Sequence, residues 1–144
     1  NKDVCVPLAS IYRDLGSMKL RSATVFLDAC FSGATRDGSM VVAARGIARV
    51  PKKQGLTGKV AVFSATSEDQ TAMPYNEKGH GMFTYFLLKR LQETEGNVSL
   101  VDLKDYLNEN VARHSTIVNR KDQTPTVLAS PAASAEWDSW KLID

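Results

Sequence analysis

The stretch VFLDACFSG, Val25 to Gly33, places a carboxylate, Asp28, two positions before a thiol, Cys30, and follows the thiol with Ser32, Gly33 and Ala34. A cysteine acts as nucleophile or metal ligand only as the thiolate. The chain has two cysteines, Cys5 and Cys30. They are too few and too far apart for a disulfide framework or a zinc motif. What is left for Cys30 is attack on an electrophilic carbonyl or a structural role. Attack needs a thiol exposed at the end of a strand, with backbone N–H groups free to stabilise an oxyanion. The small residues after Cys30 suit that geometry. Free cysteine is also among the most buried residue types, so position alone favours a structural thiol. Cys5 precedes a helical pattern, has no supporting residues around it and reads only as structural.

The elements that must position these groups are legible. SATVFLDA is a short apolar run of β-formers, as in a strand buried on both faces. KVAVFSAT is a second such strand. Before them, Leu8, Ile11, Tyr12 and Leu15 recur at helical spacing, with Pro7 suited to the first turn and Gly16 near the end. MFTYFLLKRLQE has helical length and one apolar face. Ser99 and Asp102 form an S-x-x-D cap that opens the helix LVDLKDYLNENVARH. PTVLAS is a third strand and WDSWKLI a candidate fourth. Residues 34–58 have no period and read as a long loop, which inside a domain is usually functional or disordered. SEDQTAMPYNEKGHG reads as a second polar loop. Buried strands alternating with helices argue for an α/β sandwich with a largely parallel sheet, in which ligands bind beyond the carboxyl ends of the strands. Cys30 sits where the first strand should end. A sheet of three or four strands is thin for such a fold, so further strands are expected upstream of Asn1.

Composition narrows the function classes. The chain of 144 residues fits one domain able to bury ~70% of its unfolded surface. Its net charge of +2 is too weak to argue for nucleic acid. No apolar run is long enough to span a membrane. The residues from Asn1 onward say nothing about localisation, since the true N-terminus is expected upstream.

DACFSG resembles the nucleophile motif of the caspase-like cysteine peptidases, D-x-C-x-S-G at the end of a hydrophobic strand, and most closely that of metacaspases and their bacterial relatives, the orthocaspases. VAVFSATSEDQTA is similar to the next strand and loop of that family, GHGMFTYFLLKRLQ to the helix that follows, and QTPTV to the closing strand. The resemblance implies a three-layer α/β/α sandwich, the caspase–haemoglobinase fold, with residues 1–144 forming the C-terminal portion of one peptidase domain. It implies peptide hydrolysis by a Cys–His dyad. The Cys30 thiolate attacks the scissile carbonyl, and a histidine activates the thiol and protonates the leaving amine. No cofactor is called for.

The chain has two histidines, His80 and His114. In this family the catalytic histidine comes roughly 50 residues before the cysteine, whereas His80 comes after it. The later His-Gly of the family starts a helix, and that is the role expected of His80 and its flanking glycines. His114, beside Arg113 near a helix end, suits the helix dipole as a surface cation. The dyad histidine is therefore expected on an N-terminal fragment of the same precursor, still bound after proteolytic processing. A degenerate relative without catalysis would also lack it.

Asp28 occupies the position that is Asp in metacaspases, which cleave after Arg or Lys. A carboxylate at a pocket floor pairs with guanidinium or ammonium through charge-assisted hydrogen bonds; otherwise Asp28 is a strand-end carboxylate bonded to backbone. Ser64 and Asp69, around the end of the second strand, are further candidates for the pocket wall. Asp37 lies where some metacaspases carry a calcium ligand, but one carboxylate does not make a site that needs six to eight oxygens, and no metal is expected. Arg36, Arg45, Arg49, Lys52, Lys53 and Lys59 lie in or just after the long loop. They are either a solvated surface or a segment that an Arg/Lys-specific enzyme could itself cut. If the same preference made this chain's N-terminus, Arg or Lys is expected immediately before Asn1 in the precursor.

The sequence thus points to a cysteine endopeptidase cleaving protein or peptide substrates after Arg or Lys. The second reading is a non-catalytic caspase-fold interaction module in which Cys30 is a relic. A flavodoxin-like binding domain shares the strand and helix alternation, and only the motif match argues against it.

Overall fold

The computed structural model describes residues 6–29, 55–67 and 70–143. Cys30, Asp37, Asp69 and most of the long basic loop lie outside the described residues. The described residues run α1 (Leu8–Ser17), β1 (Ala23–Leu27), β2 (Val60–Ser64), β3 (Pro74–Tyr75), β4 (His80–Gly81), α2 (Met82–Glu93), α3 (Leu100–His114) and β5 (Thr126–Ala129).

A three-stranded sheet in the order β1-β2-β5 organises the fold. β1 and β2 pair in parallel, from Ala23↔Val60 to Leu27↔Ser64. Their side chains alternate between two cores, as the period-2 pleat demands. On one face, Phe26, Ala61, Phe63 and Val127 meet the apolar sides of α2 and α3. On the other, Ala23, Val25, Leu27, Val60, Val62 and Leu128 meet Leu8 and Tyr12 of α1. Helices therefore cover both faces of the sheet, as in an α/β/α sandwich. β2 is central and every residue of it is buried. β1 and β5 flank it and are half-buried throughout. Full burial of β1 on both faces, expected from its apolar run, is thus not reached among the described residues.

The third strand runs the other way. β5 is antiparallel to β2, from Ala61↔Ala129 to Ser64↔Thr126, so the sheet is mixed rather than largely parallel. Two helices connect β2 to β5. α2 and α3 form an antiparallel pair, with Phe86 of α2 against both Tyr106 and His114 of α3. One crossover helix returns the chain to the start of a parallel strand; a second helix reverses it again.

The helix ends follow local chemistry. Ser99 Oγ accepts the N–H of Asp102 at 3.2 Å and donates to its carboxylate at 2.7 Å, a cap of the kind that stabilises a helix by ~1 kcal/mol. Leu100, Leu103, Leu107 and Val111 then form one fully buried stripe on α3. The polar segment after β2 carries its own small hairpin, β3 with β4, closed by Gly79 in the left-handed conformation at φ 69°. WDSWKLI is not a strand. Trp137–Ser139 is a 3-10 turn, and the remainder is held by a single bridge between Ser99 and Lys141 and by the Leu100 N–H donating to the Trp140 carbonyl at 2.8 Å. Its tryptophans pack on the core instead, with Trp137 edge-on to Phe63 at 6.3 Å.

Candidate active site

Because β1 and β2 are parallel and end in register, their carboxyl ends share one edge of the sheet. The Ala65 N–H donates to the Leu27 carbonyl at 2.8 Å, which carries the pairing past Ser64 and sets Asp28 beside the residues that follow β2. The antiparallel β5 begins at this same edge. Its Thr126 hydroxyl donates to the Thr66 carbonyl at 3.3 Å. Three chain segments thus converge where the ligand site of an open α/β sheet is expected.

Asp28 is half-buried, and its Oδ2 accepts a hydrogen bond from the Thr84 hydroxyl at 2.6 Å. That is within the short range typical of O–H···O⁻ bonds. Thr84 belongs to the first turn of α2, where an anion is electrostatically favoured. The strand-end carboxylate is thus bonded to a side chain of the helix. Cys30 lies two residues beyond Asp28 in the chain. Ser64 is the last residue of β2 and only 3% exposed. Asp69 is outside the described residues; the described stretches on either side of it, ending at Ser67 and resuming at Gln70, are fixed to the segment before β5.

Gln123 does much of that fixing. It is fully buried. Its Oε1 accepts the Met73 N–H at 2.9 Å and its Nε2 donates to the Ala65 carbonyl at 3.0 Å. Beside it, Gln70 Oε1 accepts the Thr124 N–H at 2.6 Å. The two glutamines bond the loop after β2 to the segment leading into β5. Neither they nor Thr84 stood out in the sequence. All three lie in segments that resemble the family, but a threonine in an amphipathic helix and glutamines in polar loops carry no sign of which distant group they bond.

His80 is exposed and pairs with Tyr75 in the hairpin. Gly81 after it directly precedes α2, so the pair leads into a helix as expected. His80 lines a cavity of about 510 Å³ with Lys78, Tyr85, Leu88, Lys89, Gln92 and Glu93. The Asp28 contact comes instead from Thr84. His114 is half-buried, not a plain surface cation. Its Nδ1 lies 2.8 Å from the Asn110 carbonyl and its ring 4.7 Å from that of Phe86. Among the described residues no group of three or more His, Cys, Asp or Glu side chains is placed to hold a metal ion, and no helix is long and apolar enough to cross a membrane.

No curated protein and no solved structure matches this chain. A family model described as the caspase domain, Peptidase C14, does match it, over residues 8–135. That span runs from the start of α1 past the end of β5 and takes in both the DACFSG stretch and the edge where Asp28 and Thr84 meet. With most of its length matched and a sheet flanked by helices on both faces, the chain belongs to the caspase domain family of cysteine peptidases.

Proposed function

We propose that this chain is the thiol-bearing part of a cysteine endopeptidase that cleaves after Arg or Lys. Cys30 is the nucleophile, and Asp28 forms the floor of the pocket that receives the basic side chain. Ser64 and Asp69 contribute to the pocket wall. The observation that carries the reading is the placement of Asp28. It is a carboxylate at the carboxyl end of a parallel strand, held by Thr84 at 2.6 Å and two residues before Cys30. A fixed anion there is suited to a cationic side chain, and Cys30 follows it by two residues in the chain. The thiolate adds to the scissile carbonyl, backbone N–H groups after Cys30 stabilise the oxyanion, and the amine leaves with a proton from histidine. Water then releases the acyl group and restores the thiol.

The histidine of the dyad belongs, in this reading, to a preceding segment of the same precursor. β1 supports it. It lies at one end of the sheet order, four of its five residues are apolar yet all are only half-buried, and among the described residues no strand pairs with its outer side. A segment adding strands at that edge buries it further and brings a His-Gly to the same end of the sheet.

The test uses the precursor with its preceding segment, incubated with an Arg- or Lys-chloromethylketone and examined by peptide mass spectrometry. A covalent adduct on Cys30, lost in Cys30→Ala, is expected. No adduct with the preceding segment present leaves the non-catalytic interaction module as the better reading. His80→Ala is expected to label normally. If that change alone abolishes labelling in a folded protein, the dyad histidine lies within this chain.

A further inference from the structure

We propose that Thr84 is a positioning residue for substrate specificity, which orients the Asp28 carboxylate toward the basic side chain of the substrate. The inference rests on the reading of Asp28 as the pocket floor. A carboxylate on a single strand-end residue can rotate about two side-chain torsions. A donor from a different element removes that freedom. Thr84 is 56 residues away in sequence and is anchored in α2, whose first turn is itself tied down. The Met82 N–H donates to the Met73 carbonyl at 2.9 Å, and Met73 is in turn held by Gln123.

The side chain of Thr84 has a local alternative. Helical threonines commonly return their hydroxyl to the carbonyl three or four residues earlier. Here the hydroxyl goes to Asp28 Oδ2. A carboxylate offers about four acceptor positions, so the Thr84 donation to Oδ2 restrains its plane and does not by itself exhaust its capacity for a guanidinium or ammonium group. Pre-setting the anion lowers the ordering cost of substrate binding, and a guanidinium, which binds a carboxylate through a planar fork, gains more from a fixed plane than a rotatable ammonium does. Thr84 therefore acts on the choice of substrate side chain, through Asp28.

The experiment compares wild-type precursor with Thr84→Val, which keeps the shape and removes the donor, and Thr84→Ser, which keeps the donor. Thr84→Ala stands in if the valine variant does not fold. Peptides differing only in Arg, Lys or a neutral residue before the cleaved bond are assayed for kcat and KM separately. Loss of a hydrogen bond to a charged group predicts that Thr84→Val raises KM for the Arg peptide roughly tenfold. A smaller rise is expected for Lys and little change for the neutral peptide, with Thr84→Ser near wild type. An Arg-to-neutral ratio of kcat/KM that stays within about twofold of wild type, or equal losses on all three peptides with a lowered melting temperature, overturns the proposal. Asp28→Asn is run in parallel. If it too leaves the Arg preference intact, the pocket reading has failed. If it abolishes the preference and Thr84→Val does not, only the role of Thr84 is lost.

Discussion

Gln123 is fully buried and accepts the Met73 N–H through Oε1 at 2.9 Å, so a single side chain near β5 holds the segment that leads into the β3–β4 hairpin. Its other end donates to the Ala65 carbonyl at 3.0 Å. Replacing it with leucine fills similar space and strands two buried backbone groups. Each unsatisfied group costs ~1–3 kcal/mol, so Gln123→Leu is expected to lower stability by ~2–6 kcal/mol. Urea unfolding followed by circular dichroism measures it. A midpoint equal to wild type would show that the loop does not depend on this clamp.

Gly16 lies in the last turn of α1 against the turn at Thr57. A Cβ added there overlaps the Thr57 hydroxyl and comes within 2.6 Å of the Thr57 carbonyl oxygen. Alanine would favour the helix by ~1 kcal/mol, but overpacking of a tight contact costs ~1–3 kcal/mol, and here the obstacle includes backbone. Gly16→Ala should therefore be net destabilising. Gly55→Ala, where a Cβ meets nothing within 4 Å among the described residues, should be close to neutral. A Gly16→Ala variant that melts higher than wild type would mean that α1 is not seated on this turn.

Tyr12 is the buried anchor of α1, 4% exposed, and its hydroxyl has no hydrogen-bond partner among the described residues. Burial raises its pKa above the ordinary 10.0. The unfolded chain therefore ionises this phenol first as pH rises. Its contribution to stability is fully present below about pH 10 and is lost as the pH climbs through the higher folded-state value. Tyr12→Phe removes an unsatisfied polar atom, so stability at neutral pH should stay equal or rise by up to ~2 kcal/mol. The alkaline loss should also be smaller than in wild type. Unfolding midpoints at about pH 8 and about pH 11 give both readings. A clear loss at neutral pH would reveal a partner for the hydroxyl.

Asp28→Asn keeps the size of the side chain and an acceptor for Thr84 while removing the charge. If Asp28 receives Arg or Lys, the variant forfeits a charge-assisted pair of ~1.5–3 kcal/mol, a roughly ten- to hundredfold fall in kcat/KM for basic peptides. Cleavage of a neutral peptide should change little. Competition between an Arg peptide and a neutral peptide in one reaction mixture reads the ratio directly. Equal effects on both would assign Asp28 to the fold and not to the pocket.

The elements were largely readable in advance because their signals are local. α2 and α3 occupy the segments that their apolar spacing marks out, and Ser99 caps α3 as its S-x-x-D pattern requires. β1, β2 and β5 fall inside the three β-forming runs. WDSWKLI misled because two tryptophans in a short apolar run look the same whether they pair as a strand or pack as single side chains. His114 looked like a surface cation because Arg113 and the helix end explained it. The aromatic neighbours that half-bury it, Tyr75 and Phe86, come from a different part of the chain.

What the residue order determined by itself was periodicity, caps and the DACFSG stretch, since each depends on neighbours within a few positions. Which way β5 runs, which donor holds Asp28, and how Gln123 joins Ala65 to Met73 were decided only by tertiary structure. Strand direction follows from how many helices intervene and how they pack, which a period-2 pattern does not record. The Thr84 and Gln123 bonds join groups 56 and 50 residues apart. A hydroxyl or amide gives no sequence sign of the distant partner that satisfies it, because that pairing exists only once the cores on the two faces of the sheet have closed.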